Sequence, residues 1–140
     1  MRVAINLPIG LDGGIHDRIK KAYSSVIEEV GEPEWAYINE RLPRVLKRVR
    51  KSRTMWTADL CRTAEAIFEL LDQTATPQKQ LLPETKRVLI AALFYFCNPY
   101  DVLPDYTPGA GYIDDAIVFK ECLTQIKKLQ PTLYKRTFGS

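Results

Sequence analysis

Histidine and cysteine are scarce in this chain: His16 stands alone, and the three cysteines, Cys61, Cys97 and Cys122, lie far apart. No C-x-x-C pair occurs, and an odd number of widely spaced thiols argues against a disulfide framework. Zinc sites draw their Cys and His ligands from closely spaced pairs, so this composition speaks against a transition-metal centre. All three cysteines fall at apolar positions of predicted helices, where a free thiol behaves as a small buried hydrophobe. That usage suits a reducing cytoplasm. Long hydrophobic runs are missing as well. The longest, Val88 to Cys97, is about half of the ~20 residues that a membrane-spanning helix needs. The opening stretch, Met1 to Gly14, is interrupted by Asn6 and Pro8 and is too short and polar for the apolar region of a signal peptide. These absences predict a cytoplasmic protein, with peripheral contact to a membrane left open. Familiar catalytic signatures are missing too: there is no G-x-S-x-G, no P-loop, no H-E-x-x-H and no cysteine beside the histidine.

What is present is ordinary for a folded domain. The chain has 140 residues, 46% hydrophobic and 26% charged, with a formal net charge of +3. That length buries a real core without staples, and the sequence reads as a single helical domain over residues 1–140. Ile15, Ile19, Tyr23, Val26, Ile27 and Val30 recur at helical spacing, with Gly31 as the stop signal. Glu32-Pro33 opens a second helix whose apolar stripe is Trp35, Ile38, Leu42, Val45 and Val49; Pro43 either kinks it or starts a new helix. A third helix runs from about Thr57 to Asp72, with Leu60, Cys61, Ala64, Ile67, Phe68 and Leu71 inward. Pro83-Glu84 opens a fourth, apolar on every side from Val88 to Phe96, as befits a helix surrounded by others. A fifth begins near Tyr112, and Pro131 with a polar tail closes the chain. Only Val3 to Leu7 has any extended character. The expectation is an all-α bundle of about five helices around a central apolar one, with a Pro/Asp-rich helix-turn-helix.

That turn is the most distinctive feature. Residues Ala92 to Phe119 read ALFYFCNPYDVLPDYTPGAGYIDDAIVF. Each residue has a structural role open to it. Asn98 and Pro99 end the fourth helix, Pro104 and Pro108 stiffen the path, and Gly111 before Tyr112 supplies backbone freedom. Asp101 and Asp105 cap short turns, while Asp114 and Asp115 favour the positive end of the fifth helix. The pattern of an apolar helix, a P-x-D-x-x-P-D turn and a G-Y-x-D-D helix start resembles the YkvA-like family, a domain of unknown function, over roughly Val88 to Phe119. Asn98 stands where that pattern has serine, and Gly109-Ala110 replaces a bulkier apolar insertion. The resemblance implies a fold element and a functional region, and some members of the family are membrane-associated; it implies no reaction.

If the fourth and fifth helices form an antiparallel hairpin, Asp101, Asp105, Asp114 and Asp115 gather at one end. Four carboxylates so placed repel unless a divalent cation (Mg²⁺, Mn²⁺ or Ca²⁺), arginines from another helix or a bound proton neutralises them. The second feature is basic. Arg41, Arg44, Lys47, Arg48 and Lys51 fall on one arc of the second helix, with no acid between Glu40 and Asp59. Such an arc is either a solvated face or a binding surface for anionic lipid, nucleic acid or an acidic protein. Three functions follow. The leading one is a non-enzymatic interaction module, peripheral to a membrane. Its rivals are a metal-dependent hydrolase built on the Asp cluster and a nucleic-acid binder using the basic helix.

Overall fold

Among the described residues, helical periodicity becomes six α-helices: α1 (Gly13–Glu29), α2 (Glu32–Arg50), α3 (Met55–Asp72), α4 (Pro83–Cys97), α5 (Ile113–Leu129) and α6 (Pro131–Thr137). The computed structural model describes residues 13–51, 55–72, 81–97 and 113–139, without the side chains of 13–16, 55–56 and 113–114. All regular structure among the described residues is helix. The extended piece expected at Val3 to Leu7 lies outside them.

The boundaries follow local chemistry. α2 starts after Gly31, whose extended backbone accepts a 3.2 Å bond from the Trp35 amide, and it carries proline in its first turn. Glu32 and Glu34 sit in that first turn and Lys47, Arg48 and Arg50 in the last, each sign matched to the helix dipole. Pro43 neither ends nor restarts the helix: α2 runs through it unbroken. The missing amide costs the Asn39 carbonyl its intrahelical donor, and Pro43 sits on the exposed side where water can replace it. The buried residues of α2 are Ile38, Leu42, Val45, Leu46 and Val49, with Trp35 only partly covered and stacked on Phe68 of α3 at 5.3 Å.

α4 is the centre, packed against α1, α2, α3 and α5. From Val88 to Cys97 every residue is buried except Phe94, which is partly so and meets the edge of Tyr37 at 5.4 Å. Surface arginine holds the neighbours in register: Arg87 of α4 donates from Nε to the Ile27 carbonyl (3.1 Å) and from Nη2 to that of Glu28 (2.9 Å). It thereby closes the end of α1, where carbonyls lack intrahelical donors.

The tail expected after Pro131 is instead a sixth helix. Proline occupies its first turn, the Tyr134 amide bonds the Gln130 carbonyl at 2.9 Å, and the Gln130 side chain receives the Leu82 amide at 3.0 Å. α6 docks on α5 and buries Leu133 and Phe138. About 1.5–3 kcal/mol for fully covering each such side chain explains why so short a helix persists.

Candidate functional site

The cysteines are buried, as the sequence suggested. Cys97, the last residue of α4, reports on what surrounds the mouth of the α4–α5 connection. Burial pushes its thiol up to about 12, the carboxylate of Asp115 adds to the rise, and the cations of Arg48 and Arg41 oppose it. Asp115 stands in the first turn of α5 and is itself only 3% exposed. Two basic residues of α2 therefore act at the junction where α4 ends and α5 begins. Geometry on the other side agrees: the Arg41 guanidinium lies 5.1 Å above the Tyr37 ring, and that ring packs on Phe94 of α4. A cation over an aromatic face is held there by the ring quadrupole.

Of the acids singled out in the sequence, Asp115 raises the same Cys97 thiol that Arg48 and Arg41 lower. Asp114 lies in the first turn of α5, its side chain outside those described. Asp101 and Asp105 lie outside the described residues, as do Asn98, Pro99, Pro104, Pro108, Gly111 and Tyr112. Among the described residues no three His, Cys, Asp or Glu side chains gather as a metal site.

The basic arc is exposed throughout: Arg41, Arg44, Lys47, Arg48 and Lys51 all face solvent. None of the five makes a salt bridge among the described residues, whereas Arg50, on the α3 side, pairs with Glu65. Ile38, Leu42, Val45, Leu46 and Val49 of α2 are used in the core, with Trp35 partly covered, so the outer side of the helix over residues 41–51 is electrostatic.

Sequence reading missed one concave feature. Between α2 and α3 lies an open cleft of about 440 Å³ lined by Leu42, Pro43, Leu46 and Phe68, with Asn39, Arg50, Glu65 and Glu69 at its rim. Its one early signal was Pro43 in mid-helix, since a proline there leaves a carbonyl open. The cleft itself follows only from how two distant helices meet.

Residues 85–120, from the first turn of α4 to the middle of α5, match the family model described as "Protein of unknown function (DUF1232)". A relative from Bacillus subtilis (strain 168), named "Uncharacterized membrane protein YkvA", is 42% identical over 52 residues, covering 37% of this chain and 47% of its own length. The chain therefore spans about half of that curated relative. No solved structure matches the chain. No helix among the described residues is long and apolar enough to cross a membrane. Over the matched α4–α5 segment, this chain is similar to the YkvA-like family of unknown function.

Proposed function

We propose that the protein is a single-domain, non-enzymatic helical interaction module that docks on anionic membrane surfaces through the basic arc of α2. The observation that carries this reading is the five exposed cations Arg41, Arg44, Lys47, Arg48 and Lys51, unpaired with acids among the described residues. Cations near an anionic leaflet contribute about 1 kcal/mol each, so such an arc reaches useful affinity without inserting. The printed name of the Bacillus relative, a membrane protein, supports the same direction. Because Ile38, Leu42, Val45, Leu46 and Val49 are committed to the core, attachment is electrostatic and reversed by salt.

Asp114 and Asp115 of α5, with Asp101 and Asp105 before them in sequence, complete the proposal as the region that responds to the docked surface, close enough to the α2 arc to feel its charge. The fields of Arg41 and Arg48 meeting that of Asp115 at Cys97 support this arrangement.

The test is a four-site variant, Arg44→Gln, Lys47→Gln, Arg48→Gln and Lys51→Gln, compared with wild type on vesicles of phosphatidylcholine with and without phosphatidylserine. Wild type should co-sediment only with the anionic vesicles, and the variant should lose that binding with its thermal melt unchanged. Equal binding by the variant would refute the arc as the docking face. Retention on duplex DNA instead, with a linear log–log salt dependence, would favour the nucleic-acid reading.

A further inference from the structure

The cleft between α2 and α3 takes no part in the membrane reading. At about 100° per residue, Asn39, Pro43, Leu46 and Arg50 fall on one stripe of α2, and all four line the cleft. The basic arc is centred roughly 130° around the helix from that stripe. The facing lip belongs to α3. Glu65 and Glu69 line the cleft there, and Asp72 follows at the next helical step on the same side. All three acids are exposed. Arg50 pairs with Glu65, so one guanidinium stands against three carboxylates. The cleft is therefore apolar at its floor and acidic at its edge.

Its two ends differ. Trp35 stacks on Phe68 at 5.3 Å near one end, and Arg50 joins Glu65 toward the other. Glu69, next to Phe68 in α3, therefore lies toward Asn39. Pro43 has no amide to give the Asn39 carbonyl, and both residues line the cleft, so that acceptor opens into it. The Asn39 side chain spends its nitrogen on the helix, donating to the Trp35 carbonyl at 2.8 Å, and keeps its oxygen as an acceptor. A backbone carbonyl, an amide oxygen and a carboxylate thus gather at the end where the aromatic floor begins.

We propose that this cleft binds a small apolar amine, with its hydrocarbon body on Leu42, Leu46 and Phe68 and its ammonium between the Asn39 carbonyl and Glu69. The volume of about 440 Å³ falls in the range of small-molecule sites, roughly 300–1,000 Å³. An ammonium supplies the donors that Pro43 withholds, and its charge matches the acidic lip. A purely apolar guest would strip water from these acceptors without replacing the hydrogen bonds. An anion would meet three carboxylates. The site does not depend on the membrane reading and stands or falls separately from it.

The experiment titrates the full chain by calorimetry with three probes that share one apolar body: 3,3-diphenylpropylamine, its uncharged methyl ether analogue 3,3-diphenylpropyl methyl ether, and 3,3-diphenylpropanoate. The amine should bind about tenfold more tightly than the ether, the worth of one charge-assisted hydrogen bond, and the carboxylate should not bind. Glu69→Gln removes the charge from an exposed side chain, and Pro43→Ala returns an amide to the Asn39 carbonyl. Each should bring the amine toward the ether while leaving the ether's affinity as it was, and Pro43→Ala should also raise the melting temperature. Equal binding of amine and ether by wild type overturns the assignment, because an apolar cleft alone would not distinguish them. An amine preference that survives both substitutions overturns it too, since the ammonium would then sit elsewhere. Wild type that takes up none of the probes at millimolar concentration refutes the site.

Discussion

The Tyr23 hydroxyl of α1 donates a 2.8 Å hydrogen bond to the carbonyl of Val88 in α4, 65 residues away in sequence. The Cys122 thiol of α5 reaches the same carbonyl at 3.9 Å. One backbone oxygen of the central helix thus ties α1 and α5 to α4. A buried polar group of this kind is costly to leave unmet, which fixes the rotation of α1 against α4.

Tyr23→Phe keeps the ring and removes the donor. The Val88 carbonyl retains its intrahelical partner, so the loss should be about 1 kcal/mol, one net hydrogen bond. The urea midpoint checks it; a loss several times larger would mean the hydroxyl organises more than this one contact.

Stability should fall at alkaline pH. Burial raises the Cys97 and Cys122 thiols from the ordinary 9.0 to about 12, and it lifts the Tyr23 hydroxyl well above its usual value. In each case the folded state holds its proton more tightly than the unfolded chain. Their contribution is therefore complete below about pH 9 and is lost as pH rises toward about 12. Urea midpoints measured across that window should decline steadily, and Cys97→Ala should flatten part of the slope. A flat profile in wild type would contradict the burial of these groups.

Leu93 is fully buried on the central helix. Leu93→Ala should cost about 2–5 kcal/mol through lost burial and the cavity left behind. An unchanged denaturation midpoint would show that α4 is not the core.

Asp115→Asn preserves the shape of a buried side chain but removes its charge. The Cys97 thiol should then titrate lower, because Asp115 holds it up. If α2 arginines neutralise the Asp group, the variant should also be less stable, and adding Mg²⁺ or Mn²⁺ to wild type should leave its melting temperature where it was. A rise with metal would instead indicate an ion bound by the folded state, and the hydrolase reading would gain.

Much of this fold is readable from local pattern. α4 is apolar on every side between Val88 and Phe96, and only a helix enclosed by others tolerates that. The prolines in the first turns of α2 and α4 and the glycine before α2 mark their starts, because their backbone limits act within a turn. α6 escaped that reading because Leu133 and Phe138, five residues apart, form no helical period. Pro131 reads as a terminator when seen alone, and the same proline opens a helix once α5 offers a surface to cover. Trp35 and Leu46 lie on the same side of α2, but Trp35 sits in the first turn and is only partly covered, whereas Leu46 lies further along the helix and is buried.

The chemistry divides along the same line. The sequence alone determined that the cations of α2 share one arc, since helical geometry puts Arg41, Arg44, Lys47, Arg48 and Lys51 together without reference to anything else. It also determined the Pro/Asp segment that marks the YkvA-like family, because turn and capping chemistry is written in adjacent residues. Only the tertiary structure decided that Arg41 and Arg48 act on Cys97 beside Asp115, and that Tyr23 and Cys122 share a carbonyl of α4. Those relationships join residues tens of positions apart, and nothing local encodes them. They arise when apolar faces are covered together, and the polar groups then meet wherever that packing leaves them.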